Sequence, residues 1–237
     1  MTAHPSDQHL TPSTVHIWRM PLIASRQEQA AVLRWLSPDE RYALERMSKC
    51  TERDRRSIAW GRLRYILSRY LDHPPSEIDI HRKPSERPEI LHPTENGGLR
   101  FNLSHSGAQA LVALSRGPVG VDIERIKSVR PVHQLARRFF TPAEATNLDS
   151  LAEDAQILGF FRLWVLKEAY LKAAGVGVPE GLSQCEIALD AEGARVVRPV
   201  DVPSETKLQL REIPVSTGYA AAAAFSSDVR DLSVFDL

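Results

Sequence analysis

Residues 101–126 read FNLSHSGAQALVALSRGPVGVDIERI. Apolar runs separated by turn residues predict strands here, with Leu99–Leu103, Ala108–Leu114 and Val119–Ile126 as three of them. Ser115-Arg116-Gly117-Pro118 is a turn, so the last two are expected to form a hairpin. Side chains alternate along a strand. Val119, Val121 and Ile123 therefore share one face, and Gly120, Asp122 and Glu124 the other. Two ionised carboxylates side by side repel. A divalent cation removes that repulsion, and hard oxygen ligands of this kind suit Mg²⁺. Gly120 leaves room for a ligand to approach the backbone. Taken alone, Asp-x-Glu also fits a solvent-facing acidic strand end.

Outward from this stretch, helices and strands alternate. On the N-terminal side Val15–Trp18 reads as a strand and 25–36 as a helix. Ser37-Pro38-Asp39-Glu40 has the cap, first-turn proline and N3 glutamate of a helix start. A long helix is expected within 53–71, its apolar stripe running Ile58, Leu63, Ile66, Leu67, Tyr70 and Leu71. Pro74-Pro75 ends it. Residues 1–14 are expected to be a loose arm. On the C-terminal side 132–140 is helical, and Thr141-Pro142-Ala143-Glu144 repeats the cap signature. A strong helix over 155–174 is closed by Gly175 and Gly177. Short β-like pieces follow, and five alanines at 220–224, helix formers by propensity, are read as a strand because seven apolar residues follow Gly218.

The long C-terminal helix adds a third carboxylate. Phe161, Trp164, Glu168 and Leu171 follow at helical spacing, so Glu168 interrupts an apolar stripe. A carboxylate directed inward needs a partner, and a metal shared with Asp122 and Glu124 would be one. Lys172 lies one turn further on the same side; a plain Glu168–Lys172 surface pair would leave the apolar flank unexplained. Ser104-His105 is no acyl-transfer dyad, since no nucleophile elbow is present. It reads instead as a phosphate or nucleotide contact, or as ordinary turn residues. From Arg46 to Arg69 eight lysines and arginines face only Glu52 and Asp54. This local basic focus could draw in a polyanion or be a solvated helix face.

Composition sets the outer bounds. The chain has 237 residues, with 30 lysines and arginines against 30 aspartates and glutamates, so its formal charge is zero. With 43% hydrophobic and 25% charged residues it has the make-up of a globular protein, not a disordered one. Charge balance argues against a general nucleic-acid binder. No apolar run is long enough for a membrane span, and the polar N-terminus lacks a signal-peptide core. The two cysteines, Cys50 and Cys185, show no metal-ligand spacing. A cytoplasmic location is expected.

FNLSHS, then GVDIE, then FxxxWxxKEAxxKAxGxG, in this order and spacing, resembles the 4′-phosphopantetheinyl transferase superfamily. The length is similar to that of its larger single-chain type, which activates peptide synthetases and polyketide synthases. The resemblance implies an α+β fold of two similar halves packed as an intramolecular pseudo-dimer, 15–118 and 119–237, with the site in the cleft between them. It implies coenzyme A as donor, a serine of an acyl, peptidyl or aryl carrier protein as acceptor, and adenosine 3′,5′-bisphosphate as co-product. Asp122, Glu124 and Glu168 would hold Mg²⁺ and Lys172 would touch the phosphates. Glu168 leads as the base for the serine hydroxyl, with Glu124 and a metal-bound hydroxide as alternatives. Ser104 and His105 match nucleotide contacts. Arg46 and Arg56 match basic positions that grip phosphates, Arg53 joins them as a further candidate for that grip, and Lys167 belongs to the motif as a further binding residue. Arg87 stands in Glu86-Arg87-Pro88 where relatives often have Gly-Lys-Pro. One copy is expected to suffice, as a monomer. Against this transferase stand a Mg²⁺-dependent phosphohydrolase and a non-catalytic basic binding module.

Overall fold

Ser37 and Thr141 show how directly local chemistry sets the elements. Each hydroxyl accepts from the backbone N–H of the glutamate three residues on, and that glutamate's carboxylate accepts from the cap's own N–H. The helices α2 (Pro38–Glu45) and α5 (Pro142–Asp149) start there, and Ser25 caps α1 (Arg26–Trp35) in the same way. The computed structural model describes residues 10–81, 88–90, 98–128, 131–177, 181–190, 192–201 and 207–237. The arm expected over 1–14 falls mostly outside them, and Thr14 already opens the first strand.

The remaining helices are α3 (Cys50–Leu71), α4 (Val132–Phe139) and α6 (Glu153–Ala174). The strands are β1 (Thr14–Pro21), β2 (Ile80–His81), β3 (Glu89–Ile90), β4 (Arg100–Ser106), β5 (Gln109–Ser115), β6 (Val119–Arg125), β7 (Glu186–Asp190), β8 (Gly193–Arg198), β9 (Leu208–Glu212), β10 (Tyr219–Ser226) and β11 (Asp231–Asp236). This is a mixed α+β chain. Its larger sheets run β11-β1-β5-β4 and β6-β10-β9; β2-β3 and β7-β8 form two small ribbons.

Strand alternation sorts the core into layers. On β5, Ala110, Val112 and Leu114 face Ile58, Leu63, Ile66 and Leu67 of α3. The intervening Leu111 and Ala113, with Val15 and Ile17 of β1, face Val119, Val121 and Ile123 of β6 and Ala221, Ala223 and Phe225 of β10. The other face of β10, Ala220, Ala222 and Ala224, packs on Phe161, Val165, Leu166 and Ala169 of α6. The order is therefore helix, sheet, sheet, helix, each sheet buried on both faces, as a layered domain requires.

Two expectations change. Residues 108–114 and 119–126 do not pair as a hairpin. β5 is already flanked by β1 and β4, so both its edges are used, and β6 pairs antiparallel with β10 in the second sheet. The hairpin lies instead between β4 and β5, turning at Gly107-Ala108. Gly120 does not open space for a ligand. A Cβ there would run into the carbonyl oxygen of Ala169 and the backbone nitrogen of Ala173, so the missing side chain lets α6 lie directly on β6. The alanines at 220–224 do form a strand, since burial on both faces outweighs helix propensity. Finally, β11 returns to the first sheet and pairs parallel with β1.

Candidate active site

β4 and β6 are edge strands of different sheets, yet they lie against each other. The outward N–H groups of Val121, Ile123 and Arg125 receive no strand partner along this edge. They are met by side chains: Asn102 Oδ1 accepts from Val121 at 2.8 Å, Ser104 Oγ from Ile123 at 3.4 Å and Ser106 Oγ from Arg125 at 3.1 Å. A buried amide without an acceptor is costly, so this ladder is what allows the two sheets to close. The two serines also use their protons. Ser104 donates to Asp122 Oδ1 and Ser106 to Glu124 Oε2, both at 2.7 Å. FNLSHS thus forms the seam that carries the acidic strand. Ser106 and Asn102 were missed by the sequence reading, although period-two spacing with Ser104 puts all three on one face.

Across from that strand α6 supplies the rest. Lys172 Nζ donates to Asp122 Oδ1 at 2.5 Å, lies 3.3 Å from Glu168 Oε2, and reaches Val121 O at 3.4 Å and Ser104 Oγ at 3.5 Å. Asp122, Glu124, Glu168 and Lys172 are therefore brought together, from a strand and a helix 46 residues apart in sequence. Burial pushes the Glu168 carboxyl up to about 7, helped by the Asp122 charge and opposed by Lys172. Glu124 is also raised, first by burial, against the Ser106 hydrogen bond. Lys172 loses by burial but gains more from Asp122 and Glu168, so it is held charged.

The site is short of positive charge. Among the described residues no three histidine, cysteine or carboxylate groups are gathered tightly enough to hold an ion as they stand. Like-charge repulsion and the interposed Lys172 account for that. Yet Asp122 Oδ2 is, among the described residues, the buried side-chain polar atom with no hydrogen-bond partner. An orphaned carboxylate oxygen beside two carboxyls whose ionised forms are disfavoured is a donor set that a hard divalent cation fits.

The basic residues divide. Burial lowers the His105 imidazole, which also senses Glu52 and Arg56 of α3 and Lys172 of α6. Arg56 ion-pairs with Glu52 at 3.8 Å and lies over the Trp60 ring. His105 thus stands between Lys172 of the acidic group and Arg56 of α3. Arg46 is exposed and lies on the ring and hydroxyl of Tyr42. Arg53 turns to a different cleft, lined also by Arg34, Arg41 and Asp54. Arg87 lies outside the described residues. Lys167 corrects the sequence reading. It is wholly buried, and its three protons go to both oxygens of Glu144, at 2.7 and 2.6 Å, and to Cys185 O at 2.8 Å. No donor is left for a phosphate, because residue 167 points about 100° away from Glu168 around the helix.

The chain matches known proteins along both of its halves. Residues 118–224 match the family model described as 4′-phosphopantetheinyl transferase superfamily, and 22–116 match that of 4′-phosphopantetheinyl transferase, N-terminal. The chain is 36% identical over 186 residues to the 4′-phosphopantetheinyl transferase HetI of a Nostoc species, which covers 78% of each chain. It is 25% identical over 210 residues to the 4′-phosphopantetheinyl transferase Sfp of Bacillus subtilis, covering 89% of this chain and 92% of that one. Among solved structures, a holo-(acyl-carrier-protein) synthase from Bacillus anthracis in complex with CoA aligns with 46% of this chain and 94% of its own, at 20% identity and a TM-score of 0.39. On its sequence matches to both halves of such enzymes, the chain belongs to the 4′-phosphopantetheinyl transferase superfamily, as one of its larger single-chain members.

Proposed function

We propose that the protein moves the 4′-phosphopantetheine group of coenzyme A onto a serine of an apo carrier protein, releasing adenosine 3′,5′-bisphosphate. The observation that carries this is the meeting of Asp122, Glu124, Glu168 and Lys172 where α6 crosses β6, with one Asp122 oxygen unpartnered. Asp122, Glu124 and Glu168 would hold Mg²⁺, which when bound neutralises charge on the pyrophosphate. Lys172 adds a point charge to the same phosphates. His105 and Arg56 stand at the α3 side, where they would receive the nucleotide end. The serine oxygen forms a bond to the pantetheine-side phosphorus as the bond to the bridging pyrophosphate oxygen breaks. The hydroxyl proton goes to Glu168, the carboxylate that α6 places beside Lys172 and Asp122, directly or through water.

The two-halved pseudo-dimer, divided near residue 118, is part of this reading. The helix–sheet–sheet–helix order supports it, and so does a repeated device. Glu40 pairs with Arg64 of α3 at 2.6 Å, and Glu144 pairs with Lys167 of α6 at 2.6 Å, both buried. Each glutamate is also the N3 residue of a capping box. The separations are 24 and 23 residues. The last strand, β11, lies across the boundary in the first sheet.

The test is incubation of apo carrier proteins of the acyl, peptidyl and aryl classes with coenzyme A and Mg²⁺. A mass gain of one phosphopantetheinyl group is expected, lost in Asp122→Ala and Glu168→Ala with the fold intact. No gain on any carrier would sink the proposal. Nucleotide release without an acceptor would favour the phosphohydrolase instead.

A further inference from the structure

The seam between β4 and β6 does more than close the sheets. The Ser106 hydroxyl has one proton and two lone pairs, and both roles are fixed. It accepts the Arg125 N–H at 3.1 Å and donates to Glu124 Oε2 at 2.7 Å. Acceptance from the backbone fixes the oxygen, and the proton is left to the carboxylate. Among the described residues this is the hydrogen bond that Glu124 receives. The turn after Ser106 is anchored from the second sheet, since the Tyr219 hydroxyl accepts the Ala108 N–H at 3.1 Å. Two residues earlier Ser104 treats Ile123 and Asp122 in the same way. Asn102, one step earlier again, accepts the Val121 N–H, and residue 120, beside it, is a glycine with no side chain to orient.

We propose that Ser106 is a positioning residue, which sets the rotamer of Glu124 so that its free oxygen turns toward the divalent cation shared with Asp122 and Glu168. The proposal rests on the reading of Glu124 as a metal ligand. A glutamate side chain has several rotamers to lose, and a hydroxyl locked by the neighbouring strand removes that freedom before the ion arrives. Groups that orient a ligand from behind are worth about 10–100-fold in metal affinity.

The experiment measures Mn²⁺ affinity, from the free-ion electron paramagnetic resonance signal, on the full chain saturated with coenzyme A and without a carrier protein. Ser106→Ala is expected to weaken Mn²⁺ binding about tenfold or more, and Ser106→Thr, which keeps the hydroxyl, to restore it. Asn102→Ala breaks a seam bond that touches no carboxylate, so it should lower the melting temperature and leave the affinity unchanged. If Ser106→Ala fails to fold, Ser106→Cys, with a weak donor in nearly the same volume, gives the same comparison. Wild-type affinity in Ser106→Ala, while Glu124→Gln weakens binding, overturns the positioning role and leaves the metal reading standing. Equal loss in Asn102→Ala also overturns it, since the effect would then be general loosening. Unchanged affinity in Glu124→Gln removes the metal reading and this proposal with it.

Discussion

At the scale of single residues, the burial of one imidazole sets a dependence of stability on pH. The Trp18 indole N–H can only donate, and it donates to the Tyr70 hydroxyl at 3.0 Å. The same hydroxyl lies 2.8 Å from His16 Nδ1, so one oxygen links the indole and the imidazole. Burial depresses His16 to about 4. The unfolded chain then binds the proton that the folded chain refuses. Stability is full above the ordinary histidine value and falls as the pH drops from about 6.5 to about 4, by a total of about 3 kcal/mol. Urea melts of wild type and His16→Gln across that range should converge at low pH; parallel curves would refute the assignment. Tyr70→Phe orphans both the indole and the imidazole, at a cost of about 1–3 kcal/mol for each unsatisfied group. Residues at this scale were unevenly legible. Glu168 stood out because a carboxylate broke an apolar stripe. Lys167, its neighbour, carried no such mark: a lysine beside a motif glutamate looks the same whether it faces phosphate or a buried Glu144. Ser106 hid because its partner belongs to another strand.

At the scale of elements, what is decided within a few residues was readable, and what is decided by a distant edge was not. Ser37, Thr141, Pro38 and Pro142 start their helices as local chemistry demands, and Gly175 ends α6 in the left-handed region with φ 75°. The mistaken hairpin shows the other case. Nothing between 108 and 126 reveals that β1 occupies the β5 edge, since that strand comes from residues 14–21. At Gly120 α6 lies directly on β6, and this contact sets the placement of Glu168 and Lys172 against Asp122. Gly120→Ala should push the helix off the strand, destabilise the chain by about 1–3 kcal/mol and lower carrier modification more than coenzyme A binding. Calorimetric melting and a kcat-against-KM comparison would check this.

At the scale of the whole molecule, the buried pairs Glu40–Arg64 and Glu144–Lys167 act as matching clamps, one in each sheet–helix layer. Arg64 also donates to Pro75 O and Ile78 O, as Lys167 does to Cys185 O, so each clamp ties a long helix to the chain that follows it. Removing one partner strands a buried charge. Lys167→Met is expected to cost about 3–5 kcal/mol, and pairing it with Glu144→Gln should recover much of that. The double variant should keep the wild-type KM for coenzyme A; a raised KM would return Lys167 to the substrate site. The repeated cap signatures were open to a sequence reader, whereas the layered order and the clamps were not, because sheet partners come from distant segments and a charged residue announces its burial only through its partner.

The return of β11 to the outer edge of β1 has a kinetic meaning. Arg19 and Asp236, joined by two hydrogen bonds of 2.7 Å, are 217 residues apart. Loop closure over such a span adds little to the thermodynamic cost, since each doubling of length takes only about 0.6 kcal/mol, but pairings this remote slow folding. During synthesis the first sheet waits with its β1 edge open until the final strand has left the ribosome. A chain cut before Asp231 would expose that edge, and should be more open to protease and to chaperone than one that carries β11.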